Sequence, residues 1–254
     1  MIAEAPGTIL QMLYLRQRIR KNGWKSFYEI GCGKGIFSKQ FLSLGLSGKA
    51  IDLNNRACDR AMIENTSFVE KGQYTVEYGD FSNQEITEKY DVVFSCMVIE
   101  HIPNESRTDF MLKCKDLLSK NGRITCLVPS SMKHWGVEDD IAGHILRFER
   151  SDVYALAEEL NMKVAHIAGL TYPVSNWLFR LSNAIVSKNE KDMLDKSQQE
   201  RTVYTGSREV QFKTDFPLWT GFLLNPIVLF PLHLFQKLFR KNENSMVLYF
   251  ELEK

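Results

Sequence analysis

Between residues 26 and 170 the chain alternates short apolar runs with longer stretches of helical periodicity, and few folds accept that order. "SFYEIG" (26–31), "GKAIDLN" (48–54), "YTVEYGDF" (74–81), "YDVVFSCMVI" (90–99) and "RITCLVPS" (123–130) read as strands. "GIFSKQFLSLG" (35–45), "NRACDRAMIEN" (55–65) and "SRTDFMLKCKDLLSKNG" (106–122) read as helices, the last closed by Gly122. Strands that alternate with helices imply a doubly wound parallel sheet with helices on both faces. Ligands of such sheets sit outside the carboxyl ends of the strands. The residues richest in chemistry fall there: Gly31–Gly35, Asp52, Asp80, Cys96–His101 and Pro129–Ser130.

The rhythm continues through a polar loop (131–148), a helix (151–161) capped by Ser151 and a strand "KVAHIAGL" (163–170). "SMVLYFELEK" (245–254) supplies a closing strand, and residues 7–21 form an amphipathic helix ended by Asn22-Gly23. The intervening residues break the pattern. The expected organisation is a cover helix (1–23), a core (24–170 and 245–254) and an inserted cap (171–244).

A chain of 254 residues, 44% hydrophobic and 25% charged, can bury one core of this size. Its net charge of +1 gives no global field towards nucleic acid, so any charged partner must meet a local patch. Cys32, Cys58, Cys96, Cys114 and Cys126 show no metal-like spacing and suit reduced, mostly buried thiols in a cytoplasmic protein. The N-terminal apolar residues precede their basic neighbours, the reverse of a secretory signal.

The first strand leads into "FYEIGCGKGIF" (27–37), with glycines at 31, 33 and 35. Dinucleotide loops space their glycines differently, and Glu29 beside the loop would repel a pyrophosphate. No Gly-Lys-Ser/Thr of a phosphate loop is present, and Lys34 reads as a solvated charge. Asp52 ends the second strand, where an acid accepts from both ribose hydroxyls. Asp80 and Phe81 end the third, where a carboxylate and a ring suit an adenine, although Asp80 can also serve as a helix cap. Three acids on successive strand ends fit a ligand with an ammonium and a sulfonium better than a phosphate.

With "EIGCGKG", "AIDLN", "GDF", "YDVVFSCMVIEHIPN" and "NGRITCLVPS" in this order, the chain resembles the class I S-adenosylmethionine-dependent methyltransferases over about residues 24–170 and the last strand. The resemblance implies a Rossmann-like sheet of seven strands, mostly parallel with an antiparallel last strand. It implies S-adenosyl-L-methionine as cofactor and S-adenosyl-L-homocysteine as product. Gly31, Cys32, Gly33 and Gly35 would pass under the methionine and ribose, and Glu29 would hold the amino end. Asp52 and Leu53 would face the ribose, Asp80 and Phe81 the adenine, and Cys96 and Met97 the methionine moiety.

The acceptor is written less clearly. Glu100 and His101 follow the fourth strand, where His101 can support the loop or act as base. Some ubiquinone-biosynthesis O-methyltransferases hold a divalent metal with such a Glu-His and a further acid. Here Val98 and Ile99 stand where that acid would be sought, so no metal is expected. "HWGVEDDIAGHILRFERSDV" (134–153) resembles the Gly-His-x-x-x-Phe loop of methyltransferases in small-molecule and glycan pathways. It makes His144 the first choice of base, with Asp139 or Asp140 to orient it. Trp135, Arg147 and Phe148 would line the acceptor pocket or pack as a staple. The expected reaction is methyl transfer to a hydroxyl of a small-molecule, glycan or lipid-linked acceptor. N-methylation and a non-catalytic scaffold are the alternatives.

From Phe216 to Gln236 no Asp, Glu, Lys or Arg occurs. Pro217, Pro226 and Pro231 break a spanning helix, and a span would strand the last β-strand across the bilayer. Residues 216–241 are expected as a hydrophobic lid, a homodimer surface or a peripheral membrane contact with Lys237, Arg240 and Lys241 at headgroups. The charged run 189–215 is expected as a solvated lid segment or hinge.

Overall fold

Seven strands carry the architecture: β1 (Ser26–Ile30), β2 (Ser47–Asp52), β3 (Tyr74–Tyr78), β4 (Tyr90–Cys96), β5 (Leu118–Pro129), β6 (Lys163–Leu170) and β7 (Val247–Glu253). The computed structural model describes residues 4–254 apart from 207, 209, 211, 214 and 215. The sheet order is β3-β2-β1-β4-β5-β7-β6. Neighbours pair parallel except β7, which runs antiparallel between β5 and β6. The Rossmann-like seven-stranded sheet with an antiparallel last strand is therefore present.

Among the described residues ten α-helices accompany the sheet: α1 (Pro6–Asn22), α2 (Ile36–Leu42), α3 (Asn55–Glu64), α4 (Thr66–Val69), α5 (Asn104–Asp116), α6 (Val137–Ala142), α7 (Arg150–Glu159), α8 (Val174–Asn189), α9 (Gln198–Gly206) and α10 (Phe230–Leu238). Side chains of β1 alternate between two cores, as the two-residue period of a strand requires. Phe27 joins Leu15, Phe41 and Phe94 on the face covered by α1 and α2, whereas Tyr28 and Ile30 join Met111, Val153 and Leu156 under α5 and α7. Burial on both faces explains why the central strands read as continuous apolar runs. Helix α1 is locked down by Arg18, whose guanidinium pairs with both oxygens of buried Glu251 on β7 at 2.7 and 2.8 Å.

Two expected boundaries move. The fifth helix ends at Asp116, not Gly122, because Leu117 and Leu118 are buried and the Leu117 carbonyl already accepts from Tyr90 N–H as β5 begins. Helix α7 is capped by Glu149, whose backbone N–H donates to Asp152, not by Ser151. The charged run 189–215 is less solvated than expected: Glu190 and Arg208 form a buried ion pair, and α9 packs on α6. Among the described residues no helix is long and apolar enough to cross a membrane.

Candidate active site

The strand order reverses between β1 and β4, and the chain opens there into a cavity of about 500 Å³. That is room for a nucleoside-sized ligand. The loop after β1 forms the floor. Gly31 has φ +75°, and a Cβ there would lie 2.5 Å from Val98 Cγ2, so only glycine lets the β1 and β4 loops approach. Cys32, Gly33 and Lys34 also line the cavity. Gly35 does not; it turns into α2 and packs against Ala61 of α3, where a Cβ would meet the Ala61 Cα at 2.9 Å. It therefore shapes the loop from behind instead of passing under the ligand.

Asp52 ends β2 in the cavity wall. Its Oδ2 accepts from Gly33 N–H at 2.8 Å and its Oδ1 from Asn54 N–H at 2.9 Å, tying the glycine loop to the strand end. Each carboxylate oxygen keeps acceptor capacity for a ligand hydroxyl. Burial pushes the Asp52 carboxyl up from its usual range, and the Gly33, Asn54 and Leu53 amides pull it back. Leu53, Asp80, Phe81, Cys96 and Met97 line the cavity with it. Asp80 also caps the turn that follows β3, accepting from Ser82 N–H at 2.8 Å and Asn83 Nδ2 at 3.1 Å. Met97 leaves β4 with φ 55°, a backbone conformation uncommon for a side chain of that bulk.

Glu29 is placed elsewhere. It is fully buried behind the loop, hydrogen-bonded by the Ser38 hydroxyl, and it does not reach the cavity. Burial drives its carboxyl up to about 8, against the Ser38 hydrogen bond and helped by the Asp52 charge. Besides Asp52 and Asp80, the acid that lines the cavity is Glu4, beside Ala5 and Thr8 at the start of α1. Neither the α1 residues nor the α9 residues Thr202, Val203 and Thr205 carried a signal in the sequence, since they contribute by position and not by type.

On the acceptor side, His101 lines the cavity and His144 stands behind it, their ring centroids 4.8 Å apart. The His101 Nδ1 lies 3.2 Å from the Gly143 carbonyl and 3.2 Å from Thr202 Oγ1. A carbonyl only accepts, so Nδ1 carries the proton and Nε2 keeps its lone pair. Burial, with His144 adding to it, lowers the His101 imidazole to about 4. His144 Nδ1 lies 2.8 Å from Asp139 Oδ1, and its Nε2 is 3.7 Å from Glu100 Oε1. Asp139, not Asp140, is thus the acid that orients His144. Burial pushes Asp139 up, but the His144 hydrogen bond and the Arg147 guanidinium hold it below its usual range. Glu100 is fully buried, neither oxygen has a hydrogen-bond partner, and burial raises it to about 7 despite His144.

Glu100, His101 and His144 offer three donor atoms within 4.8 Å of one another. Such a set can hold a divalent cation. The expectation of no metal rested on the missing acid near Val98 and Ile99, whereas the third donor comes from the loop after α6. The other acceptor candidates lie outside the cavity wall. Phe148 is core, with the Arg107 guanidinium 5.6 Å from its ring centroid. Arg147 staples the loop, donating to Asp139 at 2.9 Å and to the Ser130 carbonyl at 2.9 Å. Trp135 donates to Asp140 at 3.0 Å. Of the three roles expected for 216–241, a lid finds no support among the described residues: none of them in that stretch lines the cavity, where α9, Arg208 and Lys213 stand instead.

A sheet of this order with a nucleoside-sized cavity at its switch point defines the class I S-adenosylmethionine-dependent methyltransferases. The chain belongs to the family described as a methyltransferase domain, which matches residues 10–167. Among curated relatives, the ubiquinone biosynthesis O-methyltransferase of Glaesserella parasuis is 31% identical over 122 residues, 44% of this chain and 49% of that protein. The protein of the same name from Paraburkholderia xenovorans is 27% identical over 175 residues, 62% of this chain and 73% of that protein. The chain spans about half the length of the first of these relatives. A structure of magnesium protoporphyrin IX methyltransferase from Synechocystis with bound S-adenosylhomocysteine shares the fold at TM-score 0.54. It is 16% identical, covering 65% of this chain and 78% of that one. The Burkholderia thailandensis 1,6-didemethyltoxoflavin-N1-methyltransferase shares it at TM-score 0.52 and 14% identity, covering 64% and 72%. S-adenosyl-L-methionine is the cofactor of this family and fold. The wall formed by Asp52 and the glycine loop suits it, with acceptor oxygens for a ribose and a close backbone floor.

Proposed function

We propose that this chain transfers a methyl group to a hydroxyl of a small-molecule, glycan or lipid-linked acceptor, with His101 taking the hydroxyl proton. The observation that carries the reading is His101 in the cavity wall, its Nδ1 proton held by Gly143 and its Nε2 lone pair available. The bound sulfonium supplies an activated methyl carbon. Asp52, Leu53, Asp80 and Phe81 position the nucleoside, and Glu4 offers a carboxylate to the ammonium in place of Glu29. Cys96 and Met97 bring the β4 backbone against the methionine moiety. As the acceptor oxygen took the methyl group that bound S-adenosyl-L-methionine would supply, leaving S-adenosyl-L-homocysteine, His101 Nε2 would accept the hydroxyl proton. The resulting imidazolium lies near the buried Glu100 carboxyl, while burial and His144 disfavour positive charge on it and return the proton readily. In this proposal His101 meets the acceptor, although the sequence made His144 the first choice of base.

The names of the curated relatives agree with oxygen as the methylated atom. Turnover of a catechol or phenol acceptor by His101→Ala should fall by about 10²–10⁴, with S-adenosylhomocysteine affinity within about twofold by calorimetry. Unchanged turnover would remove His101 as the base. Chelator treatment separates the two uses of the cluster. The proton-relay reading expects activity to persist, and a loss restored by a divalent cation would replace the relay with a metal site.

A further inference from the structure

A second cavity, of about 660 Å³, opens where α1, α7, β6 and the end of α10 meet, and it shares no lining residue with the first. Arg18, Lys21, Arg150, Lys237, Arg240 and Lys241 line it, and no acid does. Arg18 is neutralised by Glu251. Lys21, Lys237, Arg240 and Lys241 make no ion pair among the described residues, and Arg150 Nε is buried without a hydrogen-bond partner. Unopposed cations around a cleft favour an anion.

The neighbouring helix is built inside out. In α10 the polar His233 and Gln236 are buried, Gln236 donating to the Leu10 carbonyl and accepting from Thr171 N–H, each at 2.9 Å. The apolar Phe230, Leu234, Phe235 and Leu238 face outward, Leu238 being 78% exposed. The stretch leading into it exposes Trp219, Phe222 and Ile227 by 70, 83 and 86%. A monomer in water does not gain from that polarity, whereas an apolar medium rewards it.

We propose that this face docks on an anionic lipid surface, with the apolar side chains of 219–238 at the acyl boundary and phospholipid phosphates on the cationic cleft. Lys237 sits within the same helix as Leu234 and Leu238, so one orientation satisfies both. A two-fold contact with a second copy fits less well. It would bring a cationic cleft of each copy to the same interface, where like charges repel.

Sedimentation with sucrose-loaded vesicles tests this without reference to the reaction catalysed. The full chain should bind vesicles of phosphatidylcholine containing one part in about three of phosphatidylglycerol, by at least about tenfold over phosphatidylcholine alone, and release in high salt. Ile227→Asp with Leu238→Asp, and separately Lys237→Glu with Lys241→Glu, should each weaken binding at least about tenfold. Thermal midpoint and S-adenosylhomocysteine affinity should stay unchanged. Equal binding to both vesicle types by the wild-type chain would overturn the proposal. So would undiminished binding by both double variants, or a dimer in ultracentrifugation that Ile227→Asp dissociates.

Discussion

Two buried carboxyls make the fold sensitive to rising pH. Glu29 and Glu100 are raised to about 8 and about 7, chiefly by burial. Between their ordinary value of 4.5 and those values, the folded chain holds protons that the unfolded chain has released. Their contribution to stability is therefore full below pH 4.5 and is lost as pH rises through 7 and 8. Glu100→Gln should leave the unfolding free energy unchanged at pH 4 and raise it by about 1–3 kcal/mol at pH 8.5, read from urea titrations. Equal effects at both pH values would show that charge is not the cause. Gly31→Ala should act in the opposite direction, since the new Cβ meets Val98 and the backbone stays left-handed. A loss of about 2 kcal/mol or more, with cofactor affinity falling alongside, is expected in a thermal-shift series with S-adenosylhomocysteine.

At the level of elements, α1 joins fold to site: its first turn lines the cavity and Arg18, near its end, anchors it to β7. Arg18→Ala leaves Glu251 with Arg123 as its one cation partner among the described residues and should cost about 3 kcal/mol. The cofactor dissociation constant should rise with it, and a variant that melts as wild type would show the pair to be dispensable. The strands were readable because burial on both faces leaves apolar runs such as "VVFSC", and their acids because chemistry concentrates where those runs stop. Residues that act through place escaped the reading. Gln198 donates to the Gly143 carbonyl and Val203 accepts from Asn54 through its backbone, contacts that any residue's main chain or a common amide can make. His144 could be singled out from its loop, but its distance from the cavity depends on how that loop folds over Glu100. Gly122 misled because a glycine within β5 looks like a helix stop.

Across the whole molecule, the cavity is closed by a segment that comes from far along the chain. Helix α9 meets the β2 end through Asn54 and the β4 loop through His101, and Arg208 braces it against Glu190 and Glu138. Bound S-adenosylhomocysteine should therefore protect residues 190–213 from limited proteolysis. Arg208→Ala should abolish that protection and raise the dissociation constant about tenfold, as expected when a buried Glu190 loses its cation. Insertion and sheet, for their part, meet at one seam. The chain leaves the sheet at Leu170 and re-enters at Val247, and those two residues are paired neighbours. Everything between them is one hairpin loop, its ends held a strand's width apart whatever its length. Because closing a loop twice as long costs only about 0.6 kcal/mol more, this seam is a natural exchange point. A chimaera that trades residues 171–246 for a short hairpin turn should keep its sheet and lose the acceptor-side cover, turning one fold into a chassis for different substrates.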